Sequence, residues 1–356
     1  MAFQQSDFSS VESFCPCITC LLYKFYFVIT GKNLICIKTG GTKKKPSLIN
    51  KPQYELLVLP ADYYAILEKQ KVPLTEYKVL VSYNSLVVIN EKDSFVYKCS
   101  FNKIGCQNVK NNYYFLKTSG FRKCPTAMSI TEVDDVVISA ESLSEGAFLK
   151  TEDLTSNVIS KLLRDLKEMY INNISRQPFD LKQEFGKYDY LFAYYPSSWK
   201  DAVSQIQTKI KKIILCTPPD GQICKTLIHG DLTSRNILKS NGNITYVDFD
   251  RSEISYPEID FYLFCVDLET HRDGQSTYEL LFNNIFKLMD GRLTLIDEID
   301  YYKIFPDFGA NKSLIKEIKL LFLYRTLVLT LQYYTNTTNV PRRIFAQVNK
   351  GLDKYI

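Results

Sequence analysis

The run His229-Gly230-Asp231-Leu232-Thr233-Ser234-Arg235-Asn236, followed twelve residues later by Asp248-Phe249-Asp250, constrains this chain more than any other stretch. The apolar residues Thr226-Leu227-Ile228 predict a short strand ending at His229, so Asp231 falls just past it. Asn236-Ile237-Leu238 opens a second extended piece, and Ile244-Thr245-Tyr246-Val247 predicts a strand that delivers Asp248. Both ends of that hairpin point at one place. Asp231, Asn236 and Asp248 are therefore expected to meet.

The residue types suit one chemistry. Three oxygen-bearing side chains at this spacing are what phosphoryl transfer around Mg-ATP uses. A carboxylate such as Asp231 orients and deprotonates an attacking hydroxyl. Mg2+ takes a few oxygen ligands from a protein and the rest from phosphates and water, which an amide (Asn236) and a carboxylate (Asp248) supply without over-neutralising it. For any one of these residues the alternative is a loop Asp or Asn of no special role. The set in this order, between two strands, favours the chemistry.

His-Gly-Asp-Leu-x-x-x-Asn followed by x-Asp-Phe-Asp resembles the aminoglycoside phosphotransferase and choline kinase group, the small-molecule branch of the protein-kinase-like fold. The resemblance runs from about Lys98 to Asp267. It implies an α+β, bilobal protein-kinase-like fold, with an antiparallel-sheet N-lobe, a mainly helical C-lobe and a nucleotide cleft between them. ATP and Mg2+ are the implied cofactors. Residues 1–75 are expected as an N-terminal extension packed on the N-lobe, 76–143 as the N-lobe, and 144–356 as the C-lobe with the catalytic loop.

Periodicity agrees with that order. Strands are expected over Lys78–Ser82, Leu86–Asn90, Ser94–Cys99, Met128–Glu132 and Val136–Ala140, with one helix over Gln107–Lys117. Within the first 75 residues, 24–30 and 34–38 look like a hairpin, and 61–69 looks helical. Val158, Ile159, Leu162, Leu163, Leu166, Met169 and Tyr170 fall on one helical stripe, and Trp199, Val203, Ile206, Ile210 and Ile213 on another, after Ser197-Ser198. Further helices are expected over 260–270, 277–289, 313–334 and 342–355.

The resemblance also assigns the rest of a nucleotide site. Lys98 stands where the family places the cation that pairs the α and β phosphates. An ordinary strand lysine facing solvent is the alternative. The helix that follows should offer a glutamate to hold this lysine, and Asn112 stands there instead; Glu132 or another carboxylate is the candidate substitute. No glycine-rich cover precedes Leu86. The turn Ser82-Tyr83-Asn84-Ser85 would serve with polar donors, Ser85 among them, or is a simple hairpin turn. Ile138–Leu143 is the expected hinge, with the backbone of Glu141 and Leu143 contacting adenine. His229 is expected to hold the loop rather than react. Arg235 either steadies Asp231 and the transferred phosphate or is a surface arginine. Asp250 is a second metal contact or a turn cap, and Asp260 is expected to anchor the loop backbone.

Spacing bears on the acceptor. Protein kinases insert a long activation segment before the next anchoring aspartate. Here only twelve positions separate Asp248 from Asp260. A hydroxyl on a small molecule, such as a sugar, an amino-alcohol or a glycan headgroup, is the expected acceptor. Asp267, Glu269, Asp297, Glu298 and Asp300, with Tyr301 and Tyr302, are candidates to line a pocket for a cationic one. A non-catalytic kinase-like nucleotide-binding module is the competing reading.

A net charge of +5 over 356 residues gives no reason to expect a nucleic-acid partner. Cys15, Cys17 and Cys20 form a group that could bind a soft metal with Cys36 folded nearby, but with no second Cys or His cluster to complete four ligands they read as reduced thiols. The apolar stretch 21–30 is interrupted by Lys24 and too short to span a bilayer, and no positive region suggests a signal peptide. A cytoplasmic protein fits the thiols and the ATP requirement. Lys43-Lys44-Lys45 beside Gly40-Gly41 lacks the spacing of a phosphate loop and reads as a solvated turn.

Overall fold

A computed structural model describes residues 33–38, 54–59, 66, 69, 78–81, 85–214, 222–271, 277–293, 301–332 and 339–356. The Cys15-Cys17-Cys20 group, Lys43–Lys45, Ser82–Asn84 and Asp297, Glu298 and Asp300 lie outside them. The described residues fall into two units. One comprises those up to Tyr114 together with Pro125–Ser144, and the other Phe115–Cys124 with Glu145–Ile356.

The first unit is built on an antiparallel sheet. Strands β1 (Asn33–Lys38) and β2 (Tyr54–Leu59) pair with each other, Asn33 opposite Leu59. Residues 24–30, the expected partner of 34–38, lie outside the described residues. Five further strands, β3 (Lys78–Val81), β4 (Leu86–Asn90), β5 (Phe95–Ser100), β6 (Ala127–Val133) and β7 (Val136–Ser142), form a sheet in the order β3-β4-β5-β7-β6. Alternate burial along Leu86-Val87-Val88-Ile89-Asn90 is what a half-covered strand requires. The β4–β5 turn is closed locally, since the Asn90 side chain accepts from the Asp93 N–H at 2.9 Å and Ser94 adopts a left-handed φ of 59°. Helix α1 (Lys103–Thr118) follows β5, and the Asn102 side chain caps it by accepting from the Gly105 N–H at 2.8 Å. It starts one turn earlier than its apolar stripe suggests, because the cap lies upstream of the stripe.

The second unit is mainly helical. A two-residue strand β8 (Ala147–Phe148) precedes helix α2 (Ser156–Ile171), which buries Leu162, Leu163, Leu166, Met169 and Tyr170 as its stripe predicts. Strand β9 (Ser175–Pro178) and the short helix α3 (Leu181–Gly186) lead to helix α4 (Ser197–Ile214), with Trp199, Val203, Ile206, Ile210 and Ile213 buried. Strand β10 (Gln222–Ile228) is central to a small antiparallel sheet between β9 and β13 (Glu253–Ser255). Strands β11 (Ile237–Ser240) and β12 (Asn243–Tyr246) form the expected hairpin. Helices α5 (Pro257–His271), α6 (Tyr278–Met289), α7 (Tyr301–Ile304), α8 (Ile315–Leu331) and α9 (Asn339–Leu352) complete the unit. Helices α5 and α8 are buried on nearly every face, as helices apolar all round must be. An antiparallel sheet with one helix, followed by a helical unit, is the α+β organisation expected. No helix among the described residues is long and apolar enough to cross a membrane.

Strand β10 carries an ionic contact just ahead of the His-Gly-Asp loop. Lys225 is 1% exposed and pairs with Glu184 of α3, itself 4% exposed, which also takes Lys187 at 2.8 Å. The Lys225 ammonium stands 5.2 Å from the centre of the Tyr256 ring. Removing one partner of a buried ion pair leaves the other charge without water or counter-ion. Glu184→Gln should therefore destabilise the protein by about 3–5 kcal/mol in denaturant titration, whereas the joint change Glu184→Leu with Lys225→Met should cost far less.

Candidate functional site

The His-Gly-Asp loop leaves β10 through a backbone that only glycine tolerates. Gly230 has φ +79°, and a Cβ there would lie 1.9 Å from the Arg251 carbonyl oxygen. Its backbone is gripped on both sides. The N–H groups of His229 and Gly230 donate to the Asp260 carboxylate at 2.7 and 2.8 Å, and the Gly230 carbonyl accepts from Arg325 Nη2 at 2.7 Å. Asp260 is fully buried at the start of α5 and also accepts from the Tyr170 hydroxyl at 3.2 Å. Burial pushes its carboxyl upward, while the two backbone donors and the nearby guanidinium work to keep it ionised. The anchoring role expected of Asp260 is present. Arg325 holds its own place by donating to Glu253 at 2.7 Å.

His229 is fully buried, with Nε2 3.0 Å from the Val247 carbonyl oxygen and Nδ1 accepting from the Asp231 N–H at 3.3 Å. A ring that accepts at Nδ1 and faces a carbonyl at Nε2 carries its proton on Nε2. Both nitrogens are thus occupied in tying the loop to the strand that delivers Asp248. His229 fastens the loop, as expected. Its ring lies 4.4 Å from that of Phe249, which stacks at 3.9 Å on Phe115 of the last turn of α1.

Asp231 is half-buried and its carbonyl accepts from the Thr233 N–H at 2.8 Å and from Asn236 Nδ2 at 2.7 Å. With its nitrogen so engaged, the Asn236 amide presents its oxygen away from the loop backbone. The Val247 N–H donates to the Asn236 carbonyl at 2.9 Å, which sets Asp248 beside Asn236. Asp248 itself has φ 68°, a left-handed conformation uncommon outside glycine and enriched in Asp and Asn. The hairpin between them turns at Asn241-Gly242, both at positive φ, the signature of a type I′ turn. One continuous loop and hairpin thus carries Asp231, Asn236 and Asp248. Among the described residues no three His, Cys, Asp or Glu side chains cluster as metal ligands. An amide oxygen and one or two carboxylates instead suit a hard cation that draws its other ligands from phosphate and water.

The remaining expected residues are placed as follows. Arg235 is exposed, and its charge acts on His271 at the end of α5 and Tyr278 at the start of α6. In the first unit, Lys98, Ser85 and Glu141 are buried. Burial rules out the solvent-facing alternative for Lys98. Glu141 accepts from Asn112 Nδ2 of α1 at 2.5 Å. The hinge departs from expectation at Leu143, whose N–H donates to the Ser94 carbonyl at 2.8 Å because β7 runs on to Ser142. Glu132 is engaged by Lys110 at 2.6 Å at an exposed position.

Of the residues expected to line an acceptor pocket, Asp267 and Tyr301 are buried, Glu269 stands 4.0 Å from Lys287, and Tyr302 is tied to Glu258. The Asp267 carboxylate accepts from the Ser234 N–H at 2.8 Å and hydroxyl at 2.7 Å, and stands 3.1 Å from His271 Nδ1. Tyr301 packs in the core against Phe261 and Phe305, and the Tyr302 hydroxyl donates to Glu258 at 3.3 Å. Sequence reasoning missed the Ser234-Asp267-His271 contact and Arg325. The signal for Arg325 was an arginine in the otherwise apolar run Leu320–Leu331.

The sequence matches no protein-family model and no curated protein. Solved structures do match. An amicoumacin kinase, hAmiN, in complex with AMP-PNP, Ca2+ and Ami, is 13% identical with a TM-score of 0.54, over 82% of this chain and 94% of that one. The ADP-bound aminoglycoside phosphotransferase APH(2'')-Ib is 14% identical with a TM-score of 0.48, over 83% and 97%. An aminoglycoside phosphotransferase, APH(3'')-Id, from Streptomyces rimosus is 12% identical with a TM-score of 0.48, over 74% and 97%. The chain has the protein-kinase-like fold, as its resemblance to aminoglycoside phosphotransferases implied.

Two outcomes follow from this geometry. Gly230→Ala adds about 1–2 kcal/mol of backbone strain and an overlap with a backbone carbonyl, so its unfolding midpoint should fall by several degrees in calorimetry. His271 is held above its ordinary value of 6.5 first by its hydrogen bond to Asp267. A raised folded value means the stabilisation is full below about pH 6.5 and is lost as pH rises through the folded value. The midpoint difference between wild type and His271→Gln should accordingly shrink above about pH 6.5.

Proposed function

We propose that this protein is an ATP-dependent phosphotransferase that moves the γ-phosphate to a hydroxyl of a small molecule. The observation that carries the reading is the Asn236 amide, held through its nitrogen by the Asp231 carbonyl, on the loop and hairpin that also carry Asp231 and Asp248. Asp231 orients the acceptor hydroxyl and receives its proton as the new O–P bond forms and the bond to the β-phosphate oxygen breaks. Asn236 and Asp248 would hold Mg2+, which when bound offsets the charge of the phosphates. Lys98 is assigned to the α and β phosphates, Ser85 to the polar turn covering them, and the backbone leaving β7 around Glu141 and Leu143 to adenine. Leu143 takes part through its carbonyl, its N–H being engaged. Arg235, exposed beside Asn236, steadies the transferred phosphate.

A small acceptor is favoured because no peptide-positioning segment fits after Asp248. The Ser252 N–H closes a turn onto the Phe249 carbonyl at 3.0 Å, β13 pairs with β10, and α5 begins at Pro257. The amicoumacin kinase that shares the fold is named for its acceptor, a small molecule, which supports the same class here. A non-catalytic nucleotide-binding module is the second reading, favoured by one observation: α1 carries no acidic residue to hold Lys98.

Asp231→Asn separates the two readings. A phosphotransferase should lose about 10²-fold or more of its turnover through that change and keep nucleotide binding. A binding module should bind ATP and show no turnover in either form. In a thermal-shift titration, ATP should stabilise the wild type more with Mg2+ than without. Asp248→Asn, which keeps the left-handed backbone tolerable, should remove the Mg2+-dependent part. Absence of any nucleotide effect in the wild type would sink the proposal.

A further inference from the structure

The helix after Lys98 contains no carboxylate at all: α1 reads KIGCQNVKNNYYFLKT. Its residue nearest the expected glutamate position, Asn112, is 1% exposed and donates to Glu141. Among the residues of the first unit whose burial is described, Lys98 is the one buried cation and Glu141 the one buried carboxylate. They are 4% and 5% exposed. A buried charge is retained only where an opposite charge or several hydrogen bonds compensate it.

Strand register puts the two on one face. Lys98 is opposite Ser139 and Val96 is opposite Glu141 in the antiparallel β5–β7 pair. Side chains two apart on a strand share a face, so Lys98, Ser139 and Glu141 point the same way. Lys98 and Glu141 are diagonal neighbours, with Cβ atoms about 7–8 Å apart in such a pair and within reach of two long side chains. Ser139 lies between them, and its buried hydroxyl has no hydrogen-bond partner among the described residues. It is an acceptor of suitable reach for an ammonium. Glu132 cannot serve, being exposed and bound to Lys110.

We infer that Glu141, held by Asn112, is the carboxylate that positions Lys98, so that a role the protein-kinase-like fold gives to a helix is carried here by the neighbouring strand. The inference rests on the phosphotransferase reading for what Lys98 does, but not for the pairing itself. Glu141 is a positioning residue: it acts on nucleotide through Lys98. Moving the carboxylate to a strand changes what controls the pair. In protein kinases the position of the helix makes or breaks the lysine–glutamate contact. On adjacent strands the two charges are spaced by sheet register, and the lysine is set without a helix movement. The helix supplies only the amide that keeps Glu141 in its rotamer.

A double-mutant cycle on the full chain tests this, read by thermal unfolding without nucleotide. Glu141→Gln keeps shape and an acceptor for Asn112 but removes the charge. It should lower the unfolding midpoint by several degrees in the wild type and by much less, or not at all, in a Lys98→Met background. Equal losses in both backgrounds would mean that Glu141 serves packing or Asn112 alone, and would overturn the inference. If Glu141→Gln does not fold alone, recovery on adding Lys98→Met supports the pairing, and failure in both backgrounds overturns it. In turnover assays Glu141→Asp should retain more activity than Glu141→Gln, since it keeps the charge. Because the cycle needs no nucleotide, an inactive wild type would refute the proposed function and leave the pairing standing or falling on its own measurement.

Discussion

The hydrogen bonds from the His229 and Gly230 N–H groups to Asp260 are the constraint on which the site depends. A carboxylate with no exposure is costly unless several donors compensate it, and here the donors are the loop itself. The dependence runs both ways: the loop fixes the charge, and the charge fixes the loop. Arg325 completes it from the other side by holding the Gly230 carbonyl. One residue, Gly230, is thereby clamped at both its donor and its acceptor. Asp231 follows directly, so a helix start and a buried guanidinium join its own backbone contacts in setting its direction.

A second line of support runs through aromatic rings. Phe115, Phe249 and His229 form a continuous stack, and His229 adds hydrogen bonds at both ring nitrogens. The stack joins the end of α1 to the loop and to the segment carrying Asp248 within one unit. It explains why a phenylalanine stands between two aspartates in Asp248-Phe249-Asp250. The flanking aspartates are half-buried while the ring between them is fully buried. Alternation of this kind lets one short segment present carboxylates and still be anchored in the core.

Much of this was legible in the sequence, and for identifiable reasons. The hairpin carrying Asn236 and Asp248 announces itself by alternating apolar residues around Asn241-Gly242, and local chemistry decides it. The stripes of α2 and α4 are equally local, and every position named on the α4 stripe is buried. What was not legible depends on contacts far apart in the chain. Arg325 reaches a carbonyl ninety-five residues away, and nothing local to Gly230 requires an arginine. Asp267 looked available for an acceptor because its engagement by Ser234 and His271 follows from the packing of α5 against the loop. Tyr301 and Tyr302 looked like pocket rings for a similar reason, since tyrosines are buried or exposed by tertiary context and not by neighbours in sequence. Strand β7 runs two residues past the Ala140 expected, and that commits the Leu143 N–H to Ser94.

The type I′ turn at Asn241-Gly242 has a wider consequence. A two-residue turn leaves no slack, so the number of residues from Asn236 to Asp248 fixes which face of the hairpin each one occupies. One residue more or fewer would rotate Asp248 to the opposite side while leaving the strands paired. The interval therefore behaves as a length standard, and changes of length within it are costly.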